Sequence, residues 1–323
     1  MLILMRLMII STKTNWRDKI RAVKTVQAII NGQTHTLTYN ESTKRYEATI
    51  TAPAKSSYPL SGHYYGVTIK ATDDANNTTT VDATHETLGE SLRLKVREKT
   101  APVITITYPT ASAVITNNKP VITWKVTDDD SGVNPATIGI TIDSGTKITG
   151  NSITKKAVSG GYECSYTPAT ALTDGSHTIR VDASDFDGNA AVQKSVVFKV
   201  DTVPPTLNIT SPADGMVTNN TSITLIGKTN DITSSPVILT YQLNGGSETR
   251  VDVNTNGDFS VALTAKNGDN TLVVKATDSA GKETIVTRHF KVDTGAPVIH
   301  SATITPNPVD AGKTYVISVE VTD

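Results

Sequence analysis

The feature that most constrains the fold of this 323-residue chain is an internal repeat. The segment Phe198-Lys-Val-Asp-Thr-Val-Pro-Pro205 recurs 92 residues later (198 to 290) as Phe290-Lys-Val-Asp-Thr-Gly-Ala-Pro297. A more divergent copy is Leu94-Lys-Val96, followed by Lys99-Thr-Ala-Pro102. A unit that recurs at this spacing predicts an array of similar modules, each with a small core of its own.

Each module has the sequence pattern of short β-strands. Pro102-Val-Ile-Thr-Ile-Thr-Tyr-Pro109 matches Pro205-Thr-Leu-Asn-Ile-Thr-Ser-Pro212, with alternating apolar and polar side chains. Such alternation places one face of a strand in a core and the other in water. Tight-turn signals such as Ile30-Asn-Gly32 close strands at equivalent points. About seven strands per module predict an all-β fold of tandem two-sheet sandwiches, joined by short proline-containing segments into an extended array.

The composition excludes several classes of function. Thirty Lys and Arg balance 31 Asp and Glu, so the net charge of −1 gives no basic surface for nucleic acid. The single cysteine, Cys164, rules out an intrachain disulfide and a cysteine-based zinc site. No apolar run reaches the length that membrane insertion requires. Arg6 interrupts the apolar start of the chain, so residues 1–10 are predicted to form a buried strand rather than a signal peptide.

The repeats resemble the bacterial immunoglobulin-like family. The resemblance is carried by the junctions Val200-Asp-Thr-Val-Pro-Pro205 and Val292-Asp-Thr-Gly-Ala-Pro297. It is also carried by the turns Ala-Ser-Asp-Phe-Asp-Gly-Asn189 and Ala-Thr-Asp-Ser-Ala-Gly281. Such modules occur in bacterial surface proteins and in tail proteins of phages, and the resemblance implies a fold without implying any chemistry.

Four units are expected along the chain. They cover residues 1–98, with the first strand missing, residues 99–201, residues 202–294, and a partial unit of two strands at residues 295–323. Residues 8–14 are predicted to form the second strand of the first unit. Two strands alone are marginal in water and leave open edges. The C-terminal strands are therefore expected either to add to a sheet of a partner or of a second copy, or to cap the third unit.

The sequence favours a non-enzymatic structural or attachment protein. We expect a component of a phage or phage-like tail or baseplate, at the surface of the particle, because no convincing signal, membrane span or anchor is recognisable. Its expected partners are other structural proteins of the particle, and host surface polysaccharide or protein. Two alternatives remain open: a bacterial adhesin at the cell surface, and an accessory region of a carbohydrate-active enzyme.

No catalytic residue and no organic cofactor are predicted. Asp293-Thr-Gly-Ala296 has the letters of the aspartic-protease signature, but that chemistry needs two such carboxylates sharing one proton. The equivalent junction, Asp201-Thr-Val-Pro204, lacks the glycine. A linker is therefore the favoured interpretation of this motif.

Acidic loops supply the candidate metal ligands. Calcium takes six to eight hard oxygens, and acidic side chains cluster in two loops of the second repeat. The candidates are Asp128, Asp130, Asp182, Asp185 and Asp187. Their spacing departs from an EF-hand loop, and aspartate also favours turns at strand ends. Calcium thus stands as an alternative to plain turn chemistry.

A longer loop in the first repeat supplies the candidate ligand-binding residues. From the core aromatic to the Ala-Thr/Ser-Asp turn the spacing is 27 residues in the first repeat (46 to 73) and 19 in the third (259 to 278). Insertions in such loops often carry recognition. Tyr58, Tyr64 and Tyr65 are predicted to stack on a sugar or a protein, while the alternation requires Tyr64 or Tyr65 to face inward.

Overall fold

The computed structural model describes residues 23–323, which form short β-strands and three single-turn 3₁₀ helices at Ser61–His63, Gly89–Leu92 and Gly150–Ser152. The predicted strand at residues 8–14 and the predicted buried strand at residues 1–10 lie outside this part. No helix within residues 23–323 has the length and apolar character needed to cross a bilayer.

Between residues 23 and 98, the first repeat forms one six-stranded sheet. Its strands are β1 (Val23–Ile30), β2 (Gln33–Asn40), β3 (Arg45–Glu47), β4 (Tyr65–Asp73), β5 (Thr78–Val81) and β6 (Arg93–Leu94). The order is β3-β2-β1-β4-β5, and β6 pairs with β4. The core is formed by Ala28, Ile30, Tyr65, Val67, Ala83 and Leu92. Strand β3 ends at Glu47, ahead of Pro53, which has no N–H to donate to a ladder.

The hairpin between β1 and β2 is the one that the Asn-Gly signal predicts. Ile30 pairs with Gln33, which leaves a two-residue loop. Asn31 and Gly32 both have positive φ, at 47° and 76°. Positive φ at both loop residues matches the right-handed twist of the flanking strands, and glycine adopts it without steric cost.

The second repeat contains two four-stranded sheets. Its strands are β7 (Val103–Tyr108), β8 (Val114–Ile115), β9 (Ile122–Thr127), β10 (Gly139–Ile142), β11 (Thr154–Val158), β12 (Gly161–Tyr166), β13 (Gly175–Asp182) and β14 (Lys194–Val200). The sheet orders are β11-β12-β9-β7 and β10-β13-β14-β8. Trp124 and Cys164 lie in the core, 1% and 3% exposed, and pair across β9 and β12.

The third repeat is also a two-sheet sandwich. Its strands are β15 (Thr206–Ser211), β16 (Met216–Thr218), β17 (Ser222–Asn230), β18 (Ile238–Leu243), β19 (Thr249–Val251), β20 (Asp258–Thr264), β21 (Gly268–Thr277) and β22 (Glu283–Val292). The sheet orders are β15-β17-β20 and β16-β22-β21-β18-β19. Strict alternation along β17 and β21 directs Leu225, Leu272 and Val274 into the core.

The chain ends in a two-stranded antiparallel sheet of β23 (Val298–Thr305) and β24 (Val316–Thr322). The repeat pattern predicts both strands. Their side chains are exposed, including Ile299, Ile317 and Val321.

The chain divides into two compact units. One unit takes the described residues up to Ala111, together with Pro120–Ala169 and His177–Val197, and the other takes Ser112–Lys119, Thr170–Ser176 and Phe198–Asp323. This division does not follow the predicted boundaries at 98, 201 and 294. Every sheet nevertheless lies within one predicted repeat.

Candidate functional site

Three aspartates converge, one at the end of the second repeat and two in separate loops of the third. Asp201 follows β14, Asp231 follows β17 and Asp278 follows β21, so each carboxylate stands directly after the end of a strand. One carboxylate oxygen from each lies within 4.8 Å of those of the other two. The side-chain hydroxyl and backbone N–H of Ser279 both donate to the carbonyl of Ser234, which ties the loops after β17 and β21 together. We call these three aspartates the third-repeat triad.

All three residues of the third-repeat triad are buried. Asp201 is 0% exposed, Asp231 7% and Asp278 4%. Backbone N–H groups donate to one oxygen of each: Val203 to Asp201, at 3.2 Å, and residues of the following turns to the other two. Within residues 23–323, the Oδ2 atoms of Asp201 and Asp278 are buried and have no hydrogen-bond partner.

The electrostatics of this cluster are unfavourable for three bare carboxylates. Among the described residues, no Lys, Arg or His forms an ion pair with any of them. Burial raises the pKa of the Asp201 carboxyl above its ordinary value, and the charges of Asp231, Asp278 and Asp174 raise it further. A buried charge of this kind is stable only when something neutralises it.

One repeat earlier, acidic residues occupy the positions that correspond to Asp201, Asp231 and Asp278. Glu98 precedes Pro102 by four residues (98 to 102), as Asp201 precedes Pro205 (201 to 205). Asp128 lies 26 residues beyond Pro102 (102 to 128), as Asp231 does beyond Pro205 (205 to 231). Asp185 and Asp278 each close the Ala-Ser/Thr-Asp turn, and one oxygen each of Glu98, Asp128 and Asp185 lies within 4.8 Å of the others.

This second-repeat triad of Glu98, Asp128 and Asp185 is more fully hydrogen-bonded than the third-repeat triad. The N–H of Ser131 donates to Glu98 at 2.7 Å, and the N–H of Gly132 donates to Asp128 at 2.7 Å. Both carboxylate oxygens of Asp185 accept from Asn189. No carboxylate oxygen of this triad is among the unpartnered buried atoms of the described chain.

The structure brings two of the five predicted calcium ligands together and places the other three in separate contacts. Asp128 and Asp185 come together with Glu98, which the prediction omitted. Asp130 accepts from the N–H of Ser56 at 2.9 Å. Asp187 accepts from the N–H of Glu98 at 3.0 Å, and Asp182 accepts from Gln193 and lies 3.5 Å from the ammonium of Lys147.

The prediction missed the third-repeat triad because it looked for ligands close together in sequence. The signal was present in the repeat register, where an acid stands four residues before the junction proline and another 26 residues after it. When the repeats are aligned on Pro102 and Pro205, and on the Ala-Ser/Thr-Asp turn, the acidic residues of both triads fall at equivalent positions, although neither triad has a local calcium-binding motif.

The three predicted ligand-binding tyrosines lie in contacts within the protein. Tyr58 stacks on Phe186, with ring centroids 4.2 Å apart. Tyr64 lies under the guanidinium of Arg93, 5.1 Å from its carbon. Tyr65 is 9% exposed, and its hydroxyl donates to the carbonyl of Lys55 at 3.2 Å.

Asp293, in the protease-like tetrapeptide, has a simple electrostatic environment. The ammonium of Lys291 donates to its Oδ2 at 3.1 Å, and the N–H of Gly295 donates to its Oδ1 at 3.2 Å. The Lys291 contact, and then the Gly295 N–H, hold the pKa of the Asp293 carboxyl below its ordinary value. An aspartic-protease dyad instead shares a proton between two carboxylates.

Two parts of the chain match known family models. Residues 102–181 match the model described as bacterial Ig domain, and residues 205–294 match the model of glucodextranase domain B. The chain carries bacterial immunoglobulin-like repeats. Each family match falls within one of the predicted repeats, and the β-sandwich seen in each is the fold that the resemblance implied.

Part of the chain also aligns with two curated relatives. The chain is 30% identical over 207 residues to chitinase ChiA of Flavobacterium johnsoniae, covering 60% of this chain and 13% of the relative. It is 29% identical over 199 residues to bacillopeptidase F of Bacillus subtilis, covering 62% of this chain and 12% of the relative. The chain therefore aligns with only a small part of either enzyme.

Solved structures give weaker likenesses. Titin domains A168–A170 align over 82% of this chain and 85% of theirs, at 12% identity and a TM-score of 0.40. Fibronectin(III)-like modules of Clostridium thermocellum CbhA align over 59% of this chain and 94% of theirs, at 16% identity and a TM-score of 0.34. These likenesses add nothing to the fold seen directly in the sheets.

Proposed function

We propose that this chain is a non-catalytic accessory region of an extracellular hydrolase, built from immunoglobulin-like repeats. The observation that carries the proposal is the pattern of the two alignments. A chitinase and a peptidase act on different polymers, yet this one chain aligns with 13% and 12% of their lengths. Two enzymes of unlike chemistry share no active site, so similarity to a small part of each favours a role other than the reaction.

The match to glucodextranase domain B supports the same proposal. It covers residues 205–294, which is nearly all of the third repeat. The name of this family assigns the domain to an enzyme that carries at least one further domain. Together these matches favour the enzyme-accessory alternative over the phage-tail role expected from the sequence.

The chemistry of the described residues agrees with a non-catalytic role. The buried thiol of Cys164 has its pKa raised to about 11 by burial, which leaves little thiolate to act as a nucleophile at neutral pH. Asp293 pairs with Lys291 instead of a second carboxylate. The third-repeat triad is buried, so it is closed to a polymer substrate.

The native form of the protein tests this proposal. Antibodies raised against residues 23–323 are used to probe culture medium, washed cells and purified phage particles of the producing bacterium. We expect a band in the medium or on the cells that is larger than a 323-residue chain and that copurifies with chitinase, glucanase or peptidase activity. The isolated chain should hydrolyse none of these substrates.

A different distribution contradicts the proposal. A band of the size of the 323-residue chain that sediments with phage particles supports the tail role instead. Hydrolysis of any of these polymers by the purified chain, retained after removal of contaminating activities, overturns the non-catalytic assignment.

A further inference from the structure

We propose that Asp201, Asp231 and Asp278 form a binding site for a divalent cation, and that this cation is Ca²⁺. The inference concerns the chain itself and does not rest on the proposed function. Its starting point is the convergence of the third-repeat triad, in which one carboxylate oxygen of each residue lies within 4.8 Å of those of the other two. Oxygens that bind one Ca²⁺ at 2.3–2.6 Å lie at most about 5 Å apart, so the cluster has suitable dimensions.

The unpartnered oxygens are the second and independent observation. A buried polar atom normally finds a hydrogen-bond partner, because losing its water without replacement costs about 1–3 kcal/mol or more. Within the described residues, Oδ2 of Asp201 and Oδ2 of Asp278 have none, although both residues are at least nine-tenths buried. Their other oxygens are already oriented by backbone N–H groups. The free oxygen of each is left available for a ligand.

The required ligand is a cation. Three carboxylates carry three negative charges when ionised, and no basic side chain of the described residues pairs with them. Metal ions with hard-oxygen preference are the partners that carboxylates bind in such positions. A hydroxyl or amide ligand leaves the mutual repulsion of the carboxylates in place.

Burial favours Ca²⁺ over Mg²⁺. Mg²⁺ gives up its water reluctantly and usually retains several bound waters. Ca²⁺ accepts varied geometries and takes carboxylate and backbone carbonyl oxygens readily. A site whose three carboxylates are 0–7% exposed suits the ion that loses its water more easily.

Binding has a local structural consequence. The ion connects the junction segment at Asp201 to the loops that follow β17 and β21. These loops already contact each other through Ser234 and Ser279. Among residues 23–323, the N–H of Val203 is the one donor that orients the Asp201 carboxylate in the absence of a cation. The junction segment is therefore the part whose order depends on the ion.

Calorimetry and thermal melting of the 323-residue chain test the site. The wild type, Asp278→Asn and Asp201→Asn are compared in EDTA, in CaCl₂ and in MgCl₂. Asparagine keeps the oxygen that accepts the backbone N–H groups and removes the charge. Asp252→Asn, an exposed aspartate in the same repeat, is the matched control.

We expect Ca²⁺ at about 100 times its dissociation constant to raise the wild-type melting temperature by about 5–10 °C. Asp278→Asn should bind one equivalent of Ca²⁺ fewer than the wild type and should melt higher than the wild type in EDTA, because the substitution relieves repulsion. Asp201→Asn should behave likewise, and Asp252→Asn should match the wild type throughout. If Asp278 only stabilised the fold, Asp278→Asn would melt below the wild type in EDTA as well as in CaCl₂.

Several results overturn the proposal. Absence of Ca²⁺ binding and of a melting shift at millimolar concentrations excludes the site. Unchanged stoichiometry in both Asp278→Asn and Asp201→Asn places the ion elsewhere. An equal response to Mg²⁺ at the same concentration overturns the assignment to Ca²⁺.

Discussion

The ring of Tyr58 lies against the ring of Phe186, with centroids 4.2 Å apart and planes inclined by 10°. His63 stacks on the same tyrosine, also at 4.2 Å. Next to this stack, the N–H of Ser56 donates to Asp130 at 2.9 Å. The long loop of the first repeat thus binds to the second repeat, and the residues expected to recognise an outside ligand form an internal contact.

This stack predicts a measurable coupling. Offset aromatic pairs contribute about 0.5–1.5 kcal/mol beyond the area they bury. A double-mutant cycle with Tyr58→Ala and Phe186→Ala, measured by urea unfolding, should return a coupling free energy in that range. Tyr58→Phe keeps the ring and should remain close to the wild type. A coupling of zero contradicts the stack.

Trp124 gives a prediction that follows from its buried position. It is 1% exposed, and within the described residues its indole N–H is buried without a hydrogen-bond partner. It pairs with Ile106 as Gly227 pairs with Ile209, so the equivalent position in the third repeat holds a glycine. We expect Trp124→Ala to lower the free energy of unfolding by about 3–5 kcal/mol and Trp124→Leu to cost about 1–2 kcal/mol less than that.

Equilibrium unfolding in denaturant, followed by circular dichroism, checks this order. Leucine fills part of the cavity and removes a buried donor that has no acceptor. Equal losses for the alanine and leucine variants contradict a tightly packed core position at Trp124.

Cys164 should be unreactive in the folded protein. Its side chain is 3% exposed, and burial raises its pKa to about 11. At pH 8 roughly one thiol in a thousand is ionised. We expect Ellman's reagent to label the native chain far more slowly than the chain unfolded in guanidinium chloride. Labelling at similar rates in both conditions contradicts the buried position.

Gly257 and Gly245 are both suited to glycine, but for different physical reasons. Both have positive φ, at 86° and 70°. A Cβ at Gly257 meets the carbonyl oxygen of Thr229 at 2.0 Å, whereas a Cβ at Gly245 meets nothing within 4 Å. Gly245→Ala should cost about 1–2 kcal/mol for its backbone conformation.

Gly257→Ala should cost at least about 1 kcal/mol more, because the clash with backbone has to be relieved by moving β17 or the turn. Chemical denaturation of the two variants side by side measures the difference. Equal stability losses indicate that the turn moves freely away from β17, which the close approach to Thr229 does not allow.

Local patterns predicted what depends on local sequence. Asn31 and Gly32 carry the conformational preference for a two-residue hairpin, and the hairpin forms there. The repeat register predicted two strands within residues 295–323, and β23 and β24 form there.

The third-repeat triad depends instead on topology. Asp201, Asp231 and Asp278 are separated in sequence and follow strands of three different sheets. They meet because the end of β14 lies beside the ends of β17 and β21, which only the folded chain shows. Tyr58 shows the same limit, since its partner Phe186 belongs to a different repeat.

The most direct test of the cation site is a crystal structure of the chain grown with CaCl₂, with anomalous scattering used to identify the ion. We expect one Ca²⁺ bound by Asp201, Asp231 and Asp278, with their carboxylate oxygens about 2.3–2.6 Å from the ion. A well-ordered triad that holds only water, or that is joined by short carboxyl–carboxylate hydrogen bonds at the same calcium concentration, contradicts it.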